Sequence, residues 1–539
     1  MALTSLKFAI FMALLTTVYF AFCKTKYQWV MLLIGSYVFY FFAGIKIAAF
    51  MMLTTLSTYL AGIYIAHINS ACREVLREHK TDWDRGKRKD YKESRKKLGK
   101  RAMILTLFLN FGILFLIKYY GFFASNINIA LGTEYLPSFK FILPLGISFY
   151  TFQSMGYLID VYREEVEAET NLAKFALFVS FFPQIIQGPI SKYSQLAHQL
   201  YEQHRPEYRN FKYGLELILW GVFKKIVIAD RAAIIIGLIK EAITNNNQNG
   251  SLIVLLILLY ALQLYADFSG GIDVARGVAQ LLGIDMIQNF RQPYFASSLT
   301  DYWNRWHISL GAWMRQYIFY PIALSGVAAG ITKSILKSSI GKTKTGAHIA
   351  KVLPGALASL VVFLVVGIWH GAEWKYIFFG LWNGLVIMIS ILIAPLMVKS
   401  NELMHINPDS KSHKRFRIIR TFILVCIGYY FDVANTATEA FSFLKSSIMN
   451  QGLTEAILAI KSFDIYTLID IFILIVMALL MYVVGKLRES NEGTTLREMM
   501  GKRPAAVQWM VLFISIMTLL VIGIYGPGYD PQDFVYMQF

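Results

Sequence analysis

Residues 353–374 read LPGALASLVVFLVVGIWHGAEW, and this stretch decides the fold. From Leu353 to Trp369 it carries no charged side chain. As a helix rising about 1.5 Å per residue, such a run crosses most of a hydrocarbon core. His370 closes it. Gly371 follows, and its missing side chain permits a turn or a close approach of substrate. Trp369 and Trp374 can wall such a place. Glu373, one turn away, has two readings, a carboxylate that orients His370 or a solvated interfacial acid. Ionisable side chains are costly at membrane depth and face protein or a watered cavity. A neutral imidazole shielded from water can take a proton from an alcohol near operating pH, which is what a general base must do.

Outward from this run, the 539-residue chain is 56% hydrophobic, too apolar and too long for one soluble core. The expected fold class is an all-α polytopic membrane protein. Apolar runs of spanning length fall near 6–23, 27–44, 46–68, 102–122, 213–239, 251–267, 353–371, 374–397, 417–434, 465–486 and 505–525. Stretches 141–162, 171–190 and 270–322 are shorter or carry Gly and Pro, and read as broken, re-entrant or interfacial helices. Irregular backbone survives at depth where it lines a cavity, so the middle of the chain is the candidate core. The layout expected is a single integral-membrane domain over 1–539, with N-terminal helices in 1–122, a catalytic core in 141–397, further helices in 398–525 and an extracytoplasmic tail in 526–539.

The net charge of +18 sits in short blocks between apolar runs, the pattern of loops beside anionic membrane lipid and not of a nucleic-acid surface. Segments 73–101, 333–344, 399–417 and 486–503 are the basic ones and are expected to be cytoplasmic, which puts both chain ends outside. Segment 73–101 mixes acids and bases at helical spacing, as a solvated or headgroup-level helix does. The first apolar run reads as a retained anchor. Cys23, Cys72 and Cys426 are scattered without metal-ligand spacing, so neither a disulfide framework nor a metal site is expected.

A second histidine stands in an aromatic frame, His307 in DYWNRWHISLGAWMRQY, residues 301–317. Read as one helix from Leu299 to Tyr320, this segment sets Leu299, Trp303, His307, Leu310, Met314 and Tyr317 on one face, with Arg305 and Arg315 elsewhere as interfacial anchors. Two readings stand for His307, a satisfied core histidine or a helper in catalysis or substrate positioning.

Five stretches together carry a resemblance: Trp369-His370-Gly371; Arg305-Trp306-His307-Ile308-Ser309; Pro144-Leu145-Gly146-Ile147-Ser148-Phe149; Phe182-Pro183-Gln184 through Gly188-Pro189; and Asp267-Phe268-Ser269-Gly270. In this order they resemble the bacterial branch of the membrane-bound O-acyltransferase (MBOAT) family, and within it the alginate O-acetyltransferase (AlgI-type) proteins of exopolysaccharide acetylation. The matching motifs run from about 141 to 384, and the end of the chain is similar as well. Some positions depart. Asn304 and Gln316 replace an arginine and an aspartate of the family motif, Gly311-Ala312 replaces a Ser-Thr pair, and Asn304 is similar to the D-alanyl transfer (DltB-type) relatives that acylate teichoic acid.

The resemblance implies a helical fold with a central funnel and reaction chamber, and an acyl group taken from a cytoplasmic thioester and delivered outward. It implies His370 as the essential histidine and His307 as the second polar residue of the chamber, with Trp303, Trp306, Trp369 and Trp374 as chamber walls. Asp267, Ser269 and Asp273 belong to another family motif, with helix capping and substrate contact both open as their roles. No bound cofactor is implied. Acetyl-CoA is the expected donor, with an acyl-carrier thioester as the alternative. The expected partners are an extracytoplasmic SGNH-like acetyltransferase and, through it, a polysaccharide acceptor. The expected location is the bacterial inner membrane, multi-pass. The ending Phe534-Val535-Tyr536-Met537-Gln538-Phe539 resembles the tail of a small protein of D-alanylation. Tyr536 is thus either a transient acyl carrier, since a deprotonated phenol is nucleophilic and then a fair leaving group, or an interfacial aromatic anchor. A proton-coupled transporter using the two histidines as a relay is the reading from another class.

Overall fold

Backbone amides in hydrocarbon must find their partners within the segment, and every regular element of this chain is helical among the described residues. The computed structural model describes residues 5–42, 44–137, 139, 144, 146–491 and 493–526. Among the described residues seven helices are long and apolar enough to cross a membrane, including Arg85–Leu131, Gly250–Leu281, Lys344–His370, Trp374–Leu392, Ile465–Ser490 and Ala505–Ile522. A bent pair, Ile308–Ala323 with Gly326–Lys337 at 51°, raises the count to eight if it is one span. The protein is a multi-pass membrane protein.

This is fewer than the eleven apolar runs read from the sequence, for identifiable reasons. Runs 6–23 and 27–44 form helices of only 16 and 14 residues, Leu6–Ala21 and Gln28–Phe41. Run 213–239 is interrupted at Lys224–Ala229 by a π-helical segment, which places one extra residue in the turn. Run 417–434 lies in Lys411–Val433, whose first turns are basic. Segment 73–101 is largely helical and exposed as expected, its second part opening the 47-residue helix Arg85–Leu131 under an Asp84 N-cap.

The chain divides into two compact units, residues 1–215 with 275–287, and residues 216–274 with 288–539. In the first, Phe182 packs on Phe11 and Phe39 at ring distances of 5.4 and 5.5 Å. Gly146, at φ 69°, opens the helix Ile147–Tyr162 with no room for a side chain, because a Cβ there would stand 2.6 Å from Ile185 Cγ2. The motif at 144–149, of which Leu145 lies outside the described residues, therefore packs against the motif at 182–189. Both build the first unit. The other three motifs lie in the second.

Inside the second unit the π-helical segment presents two lysines in succession to buried acids. Lys224 Nζ lies 2.8 Å from Ser269 Oγ and 2.7 Å from Asp273 Oδ2. Lys225 Nζ lies 2.8 Å from Asp267 Oδ1 and 2.9 Å from Asp230 Oδ1. Arg231 pairs with Asp470 at 2.9 Å and donates to the Ile522 carbonyl at 2.6 Å. Ile524 N adds a bond to the Ile226 carbonyl at 3.0 Å. These bonds pin the end of Ala505–Ile522, a helix otherwise clothed in exposed apolar side chains such as Phe513 and Val521, as a lipid-facing helix is.

Candidate active site

The antiparallel pair Lys344–His370 and Trp374–Leu392 carries the first histidine. Small residues let the two backbones approach. A Cβ on Gly367 would stand 3.1 Å from Gly380 Cα, and one on Gly384 would stand 3.2 Å from Leu360 Cα. His370 is the last residue of its helix and half-buried. Its ring lies 5.3 Å from that of Phe379, 5.2 Å from Trp369, and stacks at 6.3 Å on Tyr376. A Cβ on Gly371 would collide with the Tyr376 ring, so the close approach that this glycine permits is made by Tyr376 and not by substrate.

His307 corrects the sequence reading of one continuous helix over 299–320. The chain breaks there into Leu299–Arg305 and Ile308–Met314, and His307 sits between them, 2% exposed, in the left-handed region at φ 48°. Segment 288–291 holds the break together. Asn289 O accepts from Ile308 N at 3.0 Å, Arg291 N donates to Arg305 O at 2.9 Å, and Asn289 Oδ1 accepts from Ser309 N at 2.9 Å. That last bond fixes the Asn289 amide, so its Nδ2 donates to His307 Nδ1, 3.3 Å away. A neutral His307 then carries its proton on Nε2 and is a donor at that nitrogen. Trp369 stands between the histidines, 5.8 Å from the His307 ring and 5.2 Å from the His370 ring.

His370 lines a cavity of about 20 Å³, bordered also by Phe268, Trp303, Trp306, Asn383, Tyr429 and Asp432. Polar groups around it are tied to one another. Trp303 Nε1 donates to Asn383 Oδ1 at 3.1 Å, and Asn383 Nδ2 donates to Phe379 O at 2.9 Å. Each phenol has one proton. Tyr294 gives its own to Ala261 O at 2.7 Å, so the chain of hydroxyls runs from Tyr302 to Tyr429 at 2.9 Å and from Tyr429 to Tyr294 at 3.0 Å. Tyr260 donates to Asp432 Oδ2 at 2.8 Å.

Several predicted site residues stand elsewhere. Trp374 is 52% exposed and is not among the residues lining the cavity. Asp267 and Ser269 bind the buried lysines, while Phe268 between them turns to the cavity. Glu373 faces Lys375 at 3.8 Å. Arg305 is no interfacial anchor; it is buried between Asp301, at 2.8 Å, and both oxygens of Glu489, at 2.9 Å. Asn304 accepts from the exposed Arg315 at 2.6 Å and does not border the cavity, so its departure from the family motif bears on the outside of the helix. Tyr536 lies outside the described residues. Sequence reading missed Asp432, Tyr260, Tyr302, Tyr429 and Asn383; the signal available was Asp432 one turn after Tyr429 in an otherwise apolar run.

The helix termini decide what the arrangement can do. Carbonyls at a helix C-terminus favour positive charge. His370 ends one helix, whose carbonyls favour a proton on its ring, and Asp432, one residue from the end of Lys411–Val433, borders the same cavity.

Comparison with known proteins gives the family. A family model of membrane-bound O-acyltransferases matches residues 100–336. The chain is 31% identical over 410 residues to the probable alginate O-acetylase AlgI of Pseudomonas syringae pv. tomato, covering 75% of this chain and 67% of that one. It is 32% identical to the peptidoglycan O-acetyltransferase of Helicobacter pylori over 53% of this chain and 54% of that one. It is 28% identical to the teichoic acid D-alanyltransferase of Bacillus subtilis over 54% and 69%. This chain, with its histidine-lined aromatic cavity among membrane helices, belongs to the membrane-bound O-acyltransferase family and is an O-acyltransferase.

Proposed function

We propose that the protein is a membrane O-acetyltransferase that takes acetyl from a cytoplasmic thioester, acetyl-CoA, for O-acetylation of an exported or cell-surface polysaccharide. The observation that carries this reading is His370 at a helix end on the wall of a small aromatic cavity. His370 accepts the proton of the incoming hydroxyl as its oxygen attacks the thioester carbonyl. A C–O bond forms, the C–S bond breaks, and the proton passes to the leaving sulfur as a thiol. His307, a donor at Nε2, stabilises the oxyanion or holds the acyl group. Acetyl is favoured over D-alanyl because the match to the alginate O-acetylase is longer and higher in identity than that to the D-alanyltransferase. Family membership as an O-acyltransferase displaces the transporter reading.

An extracytoplasmic SGNH-like protein is the proposed partner that completes transfer to sugar, and the bacterial inner membrane the proposed location. Tyr536 keeps its two roles: an acyl carrier needs the phenolic oxygen, so Tyr536→Phe then abolishes transfer, whereas an aromatic anchor tolerates that change. The test of the whole reading is a strain whose only copy is this chain. Its surface polymer carries acetyl esters, lost on deletion and restored on complementation. A polymer that loses D-alanyl esters instead, together with co-purification of a small acyl-carrier protein, overturns the acetyl assignment.

A further inference from the structure

The cavity beside His370 has one carboxylate among its described lining residues, Asp432. Its two oxygens differ. Oδ2 receives the Tyr260 hydroxyl at 2.8 Å, whereas Oδ1 has no hydrogen-bond donor among the described residues. The nearby ammonium of Lys375 is held by the Ala434 carbonyl at 2.9 Å. The other polar groups of the wall are turned to each other, Asn383 to Trp303 and Phe379, and Tyr302 to Tyr429. A half-satisfied carboxylate in an aromatic setting is costly, and such a group persists where a ligand or a transient charge completes it. The cavity, about 20 Å³, has room for roughly one water-sized group, and His370 and Asp432 are both on its wall.

We propose that Asp432 is a further positioning residue of the chamber: its carboxylate, on the wall of the cavity that His370 also lines, stabilises the imidazolium that forms when His370 takes the hydroxyl proton. The proposal rests on the acyl-transfer reading. Asp432 keeps no proton in the balance. The hydroxyl proton goes to His370 and then to the leaving sulfur, while the carboxylate lowers the energy of the imidazolium.

The test uses the full chain in inside-out vesicles of cells that keep its partner and polymer, given acetyl-CoA, following thiol release, and acetyl esters on the polymer of cells carrying each variant. Asp432→Asn is nearly isosteric and still accepts the Tyr260 bond. It is expected to accumulate normally, to lower turnover by about 10²-fold, and to leave KM for acetyl-CoA within about threefold. Asp432→Ala is expected to lose as much and to regain at least about tenfold on addition of formate, a carboxylate small enough for the space. Turnover within about threefold of wild type in Asp432→Asn, or no formate rescue in Asp432→Ala, overturns the proposal. So does failure of both variants to accumulate, which would make Asp432 a residue of the fold. Wild-type protein inert toward acetyl-CoA would instead overturn the acetyl-transfer reading and the proposal with it.

Discussion

His370 works from a position as much as from a ring. Standing last in its helix, it is offered the negative end of a 27-residue dipole, which would stabilise the imidazolium of the proposed transfer. His370→Ala is therefore expected to lower polymer acetylation by about 10²- to 10⁴-fold while the protein still inserts and accumulates, measured as ester content against membrane protein amount. Near-normal ester content would remove the role. His307→Ala should also be severe, with residual turnover if the ring orients and does not move protons. Asn289→Ala tests how His307 is held. It deletes the acceptor of Ser309 N and the donor to His307 Nδ1, and losing such a buried bond costs about 1–3 kcal/mol. The expected result is reduced turnover with a lowered melting temperature in detergent, and an unchanged melting temperature would contradict the cap. The two histidines were legible as residues because imidazoles are rare in aromatic, apolar runs. The conformation of His307 was not, since Trp303 and His307 fit a helical stripe and the bonds that break it come from Asn289, eighteen residues away. Asp432 escaped notice for a related reason: one carboxylate near the end of one apolar run reads as interfacial, and only the assembly of several helices turns it toward a chamber.

Elements position these residues through close backbone contacts and buried ions. Gly367 and Gly380 set the spacing of the two helices that carry His370 and its aromatic neighbours. Gly380→Leu would force them apart, and a misplacement of about 1 Å at a reacting group can cost about 10²-fold in rate. Acetyl transfer is expected to fall by that order, with intact membrane insertion; full activity would show that the contact does not position His370. Lys225→Met tests the ion cluster. It leaves Asp267 and Asp230 buried without their cation, a change that destabilises by about 3–5 kcal/mol, and the protein should accumulate poorly. Accumulation and thermal stability equal to wild type would show that the acids are solvated. Asp267 and Ser269 illustrate what a motif conceals. The pattern Asp-Phe-Ser-Gly was readable, but which side chains meet substrate depended on a π-helical turn one helix away that aims Lys224 and Lys225 at the acids and leaves Phe268 to the cavity.

The orientation of the whole molecule follows from its charges. Basic segments 333–344 and 399–417 precede the helices Lys344–His370 and Lys411–Val433; on the positive-inside rule we propose that both segments are cytoplasmic, which sets His370 and Asp432 at the opposite ends. Cysteines replacing Lys87, Lys342 and Lys411 should be labelled only from the cytoplasmic side, and a tag after Phe539 only from outside. An outside tag requires Lys411–Val433 to cross as well; a cytoplasmic tag would show that it does not and that the seven long helices alone are the spans. The class of fold was readable from apolar length alone, whereas the number of spans was not, because a 16-residue helix such as Leu6–Ala21 and a helix interrupted by a π turn look like full spans in one dimension. The most direct test of the central claim, transfer of acetyl by His370 from one face of the membrane to the other, is made with inside-out vesicles given radiolabelled acetyl-CoA on the outer, formerly cytoplasmic, face. Wild-type vesicles should build up label esterified to luminal polymer, and His370→Ala vesicles should not. Equal labelling of the two, or none in the wild type while the enclosed polymer and partner are present, would contradict it.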